Sequence, residues 1–103
     1  MSIGGIIQVY HSGEWGTVCD DNFDMRDAKV ACRQLGFIKA VGYWYYGRGT
    51  GKVWLTNMAC SGTENSLESC SSSGYGNGGW CSSHTEDAGV VCFDFVNLSV
   101  VRS

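Results

Sequence analysis

The sequence predicts a small, disulfide-rich α+β domain, and three observations predict it. Six cysteines are spread from Cys19 to Cys92, one apolar stripe of helical period marks a single main helix, and the other apolar runs are short and β-prone. The chain has 103 residues, enough for one domain and too few for two. A domain of this size buries roughly 60–70% of its unfolded surface, which leaves its core marginal without added cross-links. An even cysteine count alongside 15 glycines reads as a disulfide framework in an oxidising compartment. Structural zinc sites use close cysteine pairs. Here the gaps run from ten residues (Cys60 to Cys70) to twenty-eight (Cys32 to Cys60), and no C-x-x-C occurs.

Each element has its own signal. Ile6–Tyr10 is an apolar, β-prone run broken by Gln8, and His11-Ser12-Gly13 signals a turn. Trp15–Cys19 then returns as the second arm of a hairpin. The helix is expected over Asp24–Leu35. Asp24 caps it, Asp27 puts negative charge in its first turn, and Gly36 stops it. Met25, Ala28, Ala31, Cys32 and Leu35 form its apolar stripe, which leaves Arg26, Lys29 and Arg33 as a solvated face. Phe37–Tyr46 is aromatic and β-prone, and Val53–Leu55 is a short strand. Ser66–Cys70 is expected to form a short second helix capped by Asn65, and Ala88–Cys92 a further strand. Phe95–Val101 is another β-prone run.

Composition excludes several functions. A formal net charge of −3 lacks the basic stripe that nucleic acid requires. No run approaches the roughly 20 apolar residues of a membrane span, and no secretory leader is read at the start. The chain therefore reads as one module of a larger secreted or membrane-anchored protein. The glycine loop Gly47-Arg-Gly-Thr-Gly51 is not a phosphate loop, because no Gly-Lys-Ser/Thr and no helix follow it.

Six segments in order carry a resemblance. Trp15-Gly-Thr-Val-Cys-Asp-Asp21, Ala31-Cys-Arg-Gln-Leu-Gly36, Gly49-Thr-Gly-Lys-Val-Trp-Leu55, Cys60-Ser-Gly-Thr-Glu64, Leu67-Glu-Ser-Cys70 and His84-Thr-Glu-Asp-Ala-Gly-Val-Val-Cys92 closely resemble the scavenger receptor cysteine-rich (SRCR) domain. Six cysteines match its group A type. The resemblance implies a curved antiparallel sheet cradling the main helix, over a core of about residues 6–92. It also implies the pairs Cys19–Cys81, Cys32–Cys92 and Cys60–Cys70, where cysteine count alone leaves fifteen connectivities open. The ends depart from the family pattern. The family's short opening strand is expected to be missing, and Leu98-Ser-Val-Val-Arg102 resembles it at the opposite end. The tail, residues 93–103, is therefore expected to fill that edge, either in its own chain as a monomer or in a neighbour as a strand-swapped dimer.

The resemblance also implies a function: a non-catalytic, extracellular module for protein or polyanionic ligands. On the residues alone, Asp20 and Asp21 read as turn chemistry. The family adds that Asp20, Asp21 and Glu64 hold a divalent cation, and such oxygen ligands suit calcium. A second cation site is not expected, because Thr56, Asn57 and Thr63 stand where stronger ligands would be needed. Arg48 and Lys52 make a sparse basic pair on the glycine loop. His84 with Ser82, Ser83 and Asp87 suggests a triad, but no nucleophile elbow accompanies it. The residues Trp15, Trp44, Trp54, Tyr43, Tyr45 and Tyr46 are assigned to core and cross-strand packing, whereas Tyr75 and Trp80 are expected to be exposed for a ligand. Asn97-Leu-Ser99 is a glycosylation sequon. Two alternative roles follow from the family: an assembly module in a multidomain receptor, or an accessory domain of a secreted protease or oxidase.

Overall fold

The structure is a computed structural model that describes residues 2–45, 49, 51–75, 84 and 87–94. Six strands, one α-helix and one 3₁₀ turn make up the described elements. In chain order they are β1 (Ser2–Ile6), β2 (Gln8–His11), β3 (Glu14–Val18), α1 (Met25–Gln34), β4 (Lys39–Tyr45), β5 (Lys52–Leu55), the 3₁₀ turn Leu67–Ser69 and β6 (Ala88–Phe93).

Two three-stranded sheets replace the single antiparallel sheet that the resemblance implied. One has the order β1-β6-β4 and is antiparallel throughout. The other has the order β2-β3-β5, and its β3–β5 pair is parallel. The reason is local. The run expected as one strand from Ile6 to Tyr10 breaks at Ile7, which is buried and donates its N–H to Ala88 O at 3.0 Å. The chain passes there from one sheet to the other. The opening strand expected to be missing is present as β1, which pairs in its own chain with β6 from Ser2↔Phe93 to Ile6↔Gly89. Gly4 and Gly5 hide it from a propensity reading, because pairing with β6 needs only their backbone. The expected tail strand at 95–103 lies outside the described residues.

Turn and cap chemistry fixes the rest. Ser12 (φ 51°) and Gly13 (φ 79°) make the two-residue hairpin between β2 and β3, with both residues in the left-handed region that such a tight turn requires. Helix α1 starts with a full capping box. Asp24 accepts from the N–H groups of Arg26 and Asp27, and Asp27 Oδ2 accepts from Asp24 N at 2.8 Å. It ends in a Schellman motif, with Gly36 at φ 94° donating to Arg33 O and Phe37 donating to Cys32 O. The predicted bounds hold to within a residue, but the buried face is turned. Asp27 and Val30 face inward with Ala28, Ala31 and Cys32, while Leu35, already the C-cap, is 63% exposed.

Helix α1 packs on β4 and β6. The core joins its inner face to Val18, Leu55, Met58, Leu67, Ala88 and Val90. Cys32–Cys92 ties the helix to β6, and Cys60–Cys70 closes the loop that carries the 3₁₀ turn. Both pairs match the family expectation. Cys19 is disulfide-bonded, and its expected partner Cys81 lies outside the described residues. Ser66 precedes the 3₁₀ turn in place of Asn65, and its side chain makes no capping bond.

Candidate functional site

The acidic elbow follows β3. Cys19 N donates to Leu55 O at 2.8 Å, and Phe23 N closes the turn by donating to Asp20 O at 2.9 Å. Asn22 sits at φ 62° and donates from Nδ2 to Asn57 Oδ1 at 2.8 Å. Asn57 in turn donates from Nδ2 to Ser73 Oγ at 2.8 Å. This ladder uses Asn57 structurally, and Thr56 is buried. Asp20 and Asp21 are half-buried, and an oxygen of each lies within 4.8 Å of the other and of Cys19 Sγ. That sulfur is in a disulfide and is no thiolate ligand.

Glu64 has a different setting. Its carboxylate accepts from Ser61 N at 2.9 Å, from Ser61 Oγ at 3.0 Å and from Gly62 N at 3.0 Å. The Ser61 backbone bond, joined by the others, holds its pKa down at about 2, so Glu64 is ionised throughout the physiological range. Among the described residues Glu64 does not join Asp20 and Asp21 in one cluster whose ligand atoms all lie within 4.8 Å of one another. It groups instead with Cys60 and Cys70, whose sulfurs are bonded to each other. The structure therefore brings Asp20 and Asp21 together, and Glu64 stands on the loop after β5 as a pre-ionised group. Arg33, expected on a solvated face, fastens that loop to the helix by donating to Glu64 O at 2.7 Å and Gly62 O at 3.0 Å.

Asp27 is a second residue whose role the sequence did not show. It is 1% exposed, and its Oδ1 accepts from Cys60 N at 2.8 Å, tying α1 to the start of the Glu64 loop. Burial raises its pKa, opposed by those backbone bonds.

His84 and Asp87 form a clamp. His84 Nδ1 lies 3.0 Å from Asp87 Oδ2, and Nε2 lies 2.8 Å from Gly51 O. Asp87 is fully buried and accepts from Gly49 N at 2.7 Å. The nearest hydroxyl described is Thr17 Oγ1, 3.3 Å from Nδ1, on a fully buried threonine that no substrate reaches. Ser82 and Ser83 lie outside the described residues. The geometry is that of a fastener holding Gly49 and Gly51 to the residues that lead into β6.

The expected ligand residues separate. Lys52 is exposed but pairs with Glu14 at 3.7 Å and lies 5.2 Å over the Trp54 ring, which damps any role in an anion cluster. Tyr75, expected to be exposed, is half-buried against the core and stacks on His11 with ring centroids 3.6 Å apart. Its neighbour Gly74 has φ 88°, in the left-handed region that favours glycine. Arg48, Trp80 and Asn97 lie outside the described residues.

A cross-linked core, braced acidic loops and a His84–Asp87 clamp define a small disulfide-stabilised module. The family model for the scavenger receptor cysteine-rich domain matches residues 2–93, and the chain belongs to that family. It is 49% identical over 106 residues to lysyl oxidase homolog 3B of Danio rerio, covering 95% of this chain and 13% of the relative. It is 53% identical over 91 residues to human lysyl oxidase homolog 4, covering 85% of this chain and 12% of the relative. Among solved structures it resembles the dimeric form of the SRCR domain of mouse MARCO, with TM-score 0.83, 46% identity and coverage of 90% and 89% of the two chains. It also resembles the third SRCR domain of murine neurotrypsin, with TM-score 0.73, 37% identity and coverage of 91% and 88%. The chain thus spans about an eighth of the oxidase homologues and nearly the whole of the solved SRCR domains.

Proposed function

We propose that this SRCR domain is an extracellular binding module that engages a polyanionic or protein ligand with the help of a calcium ion. The observation that carries the reading is the pair of aspartates held on a disulfide-anchored elbow, together with a glutamate on another loop that its own backbone donors keep ionised. Calcium takes six to eight oxygens in flexible geometry. Asp20 and Asp21 would hold the ion, and Glu64 would complete its charge balance across the two loops. The remaining positions suit water or an anionic group of the ligand. Calcium supplies positive charge to a domain whose net charge is −3.

The test is binding to immobilised dextran sulfate with calcium and with chelator. The reading expects binding that chelator abolishes. Binding that survives chelator and falls with added salt would assign the contact to Lys52 and Arg48 and overturn it.

A second reading has its own support. The high identity to lysyl oxidase homologues favours an accessory role, with this domain binding a partner on behalf of a catalytic domain elsewhere in a longer chain. The MARCO domain it resembles is a dimeric form, and both monomer and dimer are compatible with this chain. With β1 already in place beside β6, the edge that a swapped tail was expected to fill is taken within one chain.

A further inference from the structure

The strand reading assigned Tyr43 and Trp44 to packing, yet the structure leaves them 44% and 66% exposed. They stand on β4, an outer strand of its sheet. With Phe23 and Asp20 they line a cleft of about 190 Å³. Phe23 is buried and meets the Tyr43 ring at 6.3 Å and 61°, so the two rings form a fixed corner. Asp20 supplies the one carboxylate among the lining residues.

These features define a guest. The volume falls below the roughly 300–1,000 Å³ of pockets that hold a whole small ligand, so one side chain is the right scale. Exposed tryptophan and tyrosine faces attract organic cations. A carboxylate at the wall repels anions and completes the attraction, and the net charge of −3 favours the approach of a basic partner. We propose that this cleft takes a basic side chain, lysine or arginine, presented by a partner protein. Its alkyl stem lies against Trp44 and Tyr43, and its charge meets Asp20. The site does not depend on calcium, because the aromatic walls have no part in the cation site. Asp20 is common to both, so calcium and the basic side chain compete.

The test is a titration followed by NMR of the Trp44 indole N–H, in chelator, with n-butylammonium and n-butylguanidinium as probes and n-butanol as the neutral control. The expected result is a saturable shift with at least one cation and not with butanol. Trp44→Ala should weaken binding roughly 2- to 30-fold, the span of a cation–π contact. Asp20→Asn should weaken it as well, and Trp44→Phe should restore part of the loss even if the alanine variant folds poorly. A separate calcium titration of Trp44→Phe should match the wild type, so a failure of the calcium reading and a failure of this one are told apart. Absence of saturation with both cations would overturn the proposal. So would butanol binding as tightly, or Asp20→Asn binding like the wild type.

Discussion

Replacing Asp27 by alanine should unsettle both the helix and the Glu64 loop, and its cost can be worked from the structure. The carboxylate serves two backbone donors, Asp24 N at 2.8 Å and Cys60 N at 2.8 Å. Asp24 is half-exposed, so water can replace the first bond. The loss there is that of half a capping box, about 0.5–1 kcal/mol. Cys60 is buried, and its N–H would be left without an acceptor, at about 1–3 kcal/mol. The sum is roughly 1.5–4 kcal/mol, a large share of the 5–15 kcal/mol typical of a domain. Asp27→Asn should recover little, since its amide has one acceptor for two donors and turns its own N–H toward one of them. Urea unfolding with the disulfides intact measures both variants. A loss under about 0.5 kcal/mol for Asp27→Ala would refute the view that a buried carboxylate couples α1 to the Cys60 loop.

Four more expectations follow. Glu64 has its pKa lowered from the ordinary 4.5 to about 2, so its contribution is present above 4.5 and is lost as pH falls through that window. Glu64→Gln should flatten the acid side of the stability profile relative to wild type, in which Asp27 titrates with the opposite slope in both proteins; parallel profiles would contradict this. Gly16→Ala should force β3 from β5 at about 1–3 kcal/mol, because a Cβ there would lie 2.7 Å from Lys52 O and against the Trp54 indole, as thermal unfolding would show. His84→Ala should strip the buried Asp87 of its side-chain partner at about 1–3 kcal/mol or more, with faster hydrogen exchange at Gly49 N as the local signature. Opening Cys32–Cys92, which spans 60 residues, by paired alanine substitution should cost about 4 kcal/mol on the loop-entropy model, measurable as a drop in urea midpoint.

What the sequence revealed and what it hid divide along physical lines. Helix α1 was legible because its signals are local: a capping aspartate, an apolar stripe and a stop glycine. Two disulfides were legible through the family pattern. The depth of Asp27 was not, since a first-turn acid looks the same whether it faces water or a distant backbone N–H. Arg33 was hidden likewise, because its acceptors are carbonyls some thirty residues away. The parallel pairing of β3 with β5 is a matter of topology, which periodicity does not encode. Strand β1 escaped because glycine pairing leaves no side-chain signature. The cleft at Tyr43 and Trp44 was missed for the opposite reason: aromatic residues in a β-prone run are usually packed. The aspartate pair was found, but not that the Glu64 carboxylate is taken up by the backbone donors of its own loop.

The most direct test of the account is a calorimetric calcium titration of the wild type and of Asp21→Ala combined with Glu64→Ala. The account predicts saturable binding in the weak extracellular range, with Kd of about 10⁻⁴–10⁻³ M, abolished in the double variant. Absence of heat and of thermal stabilisation in the wild type at about 10 mM calcium, well above that range, would contradict it and leave the acidic elbow as a solvated turn.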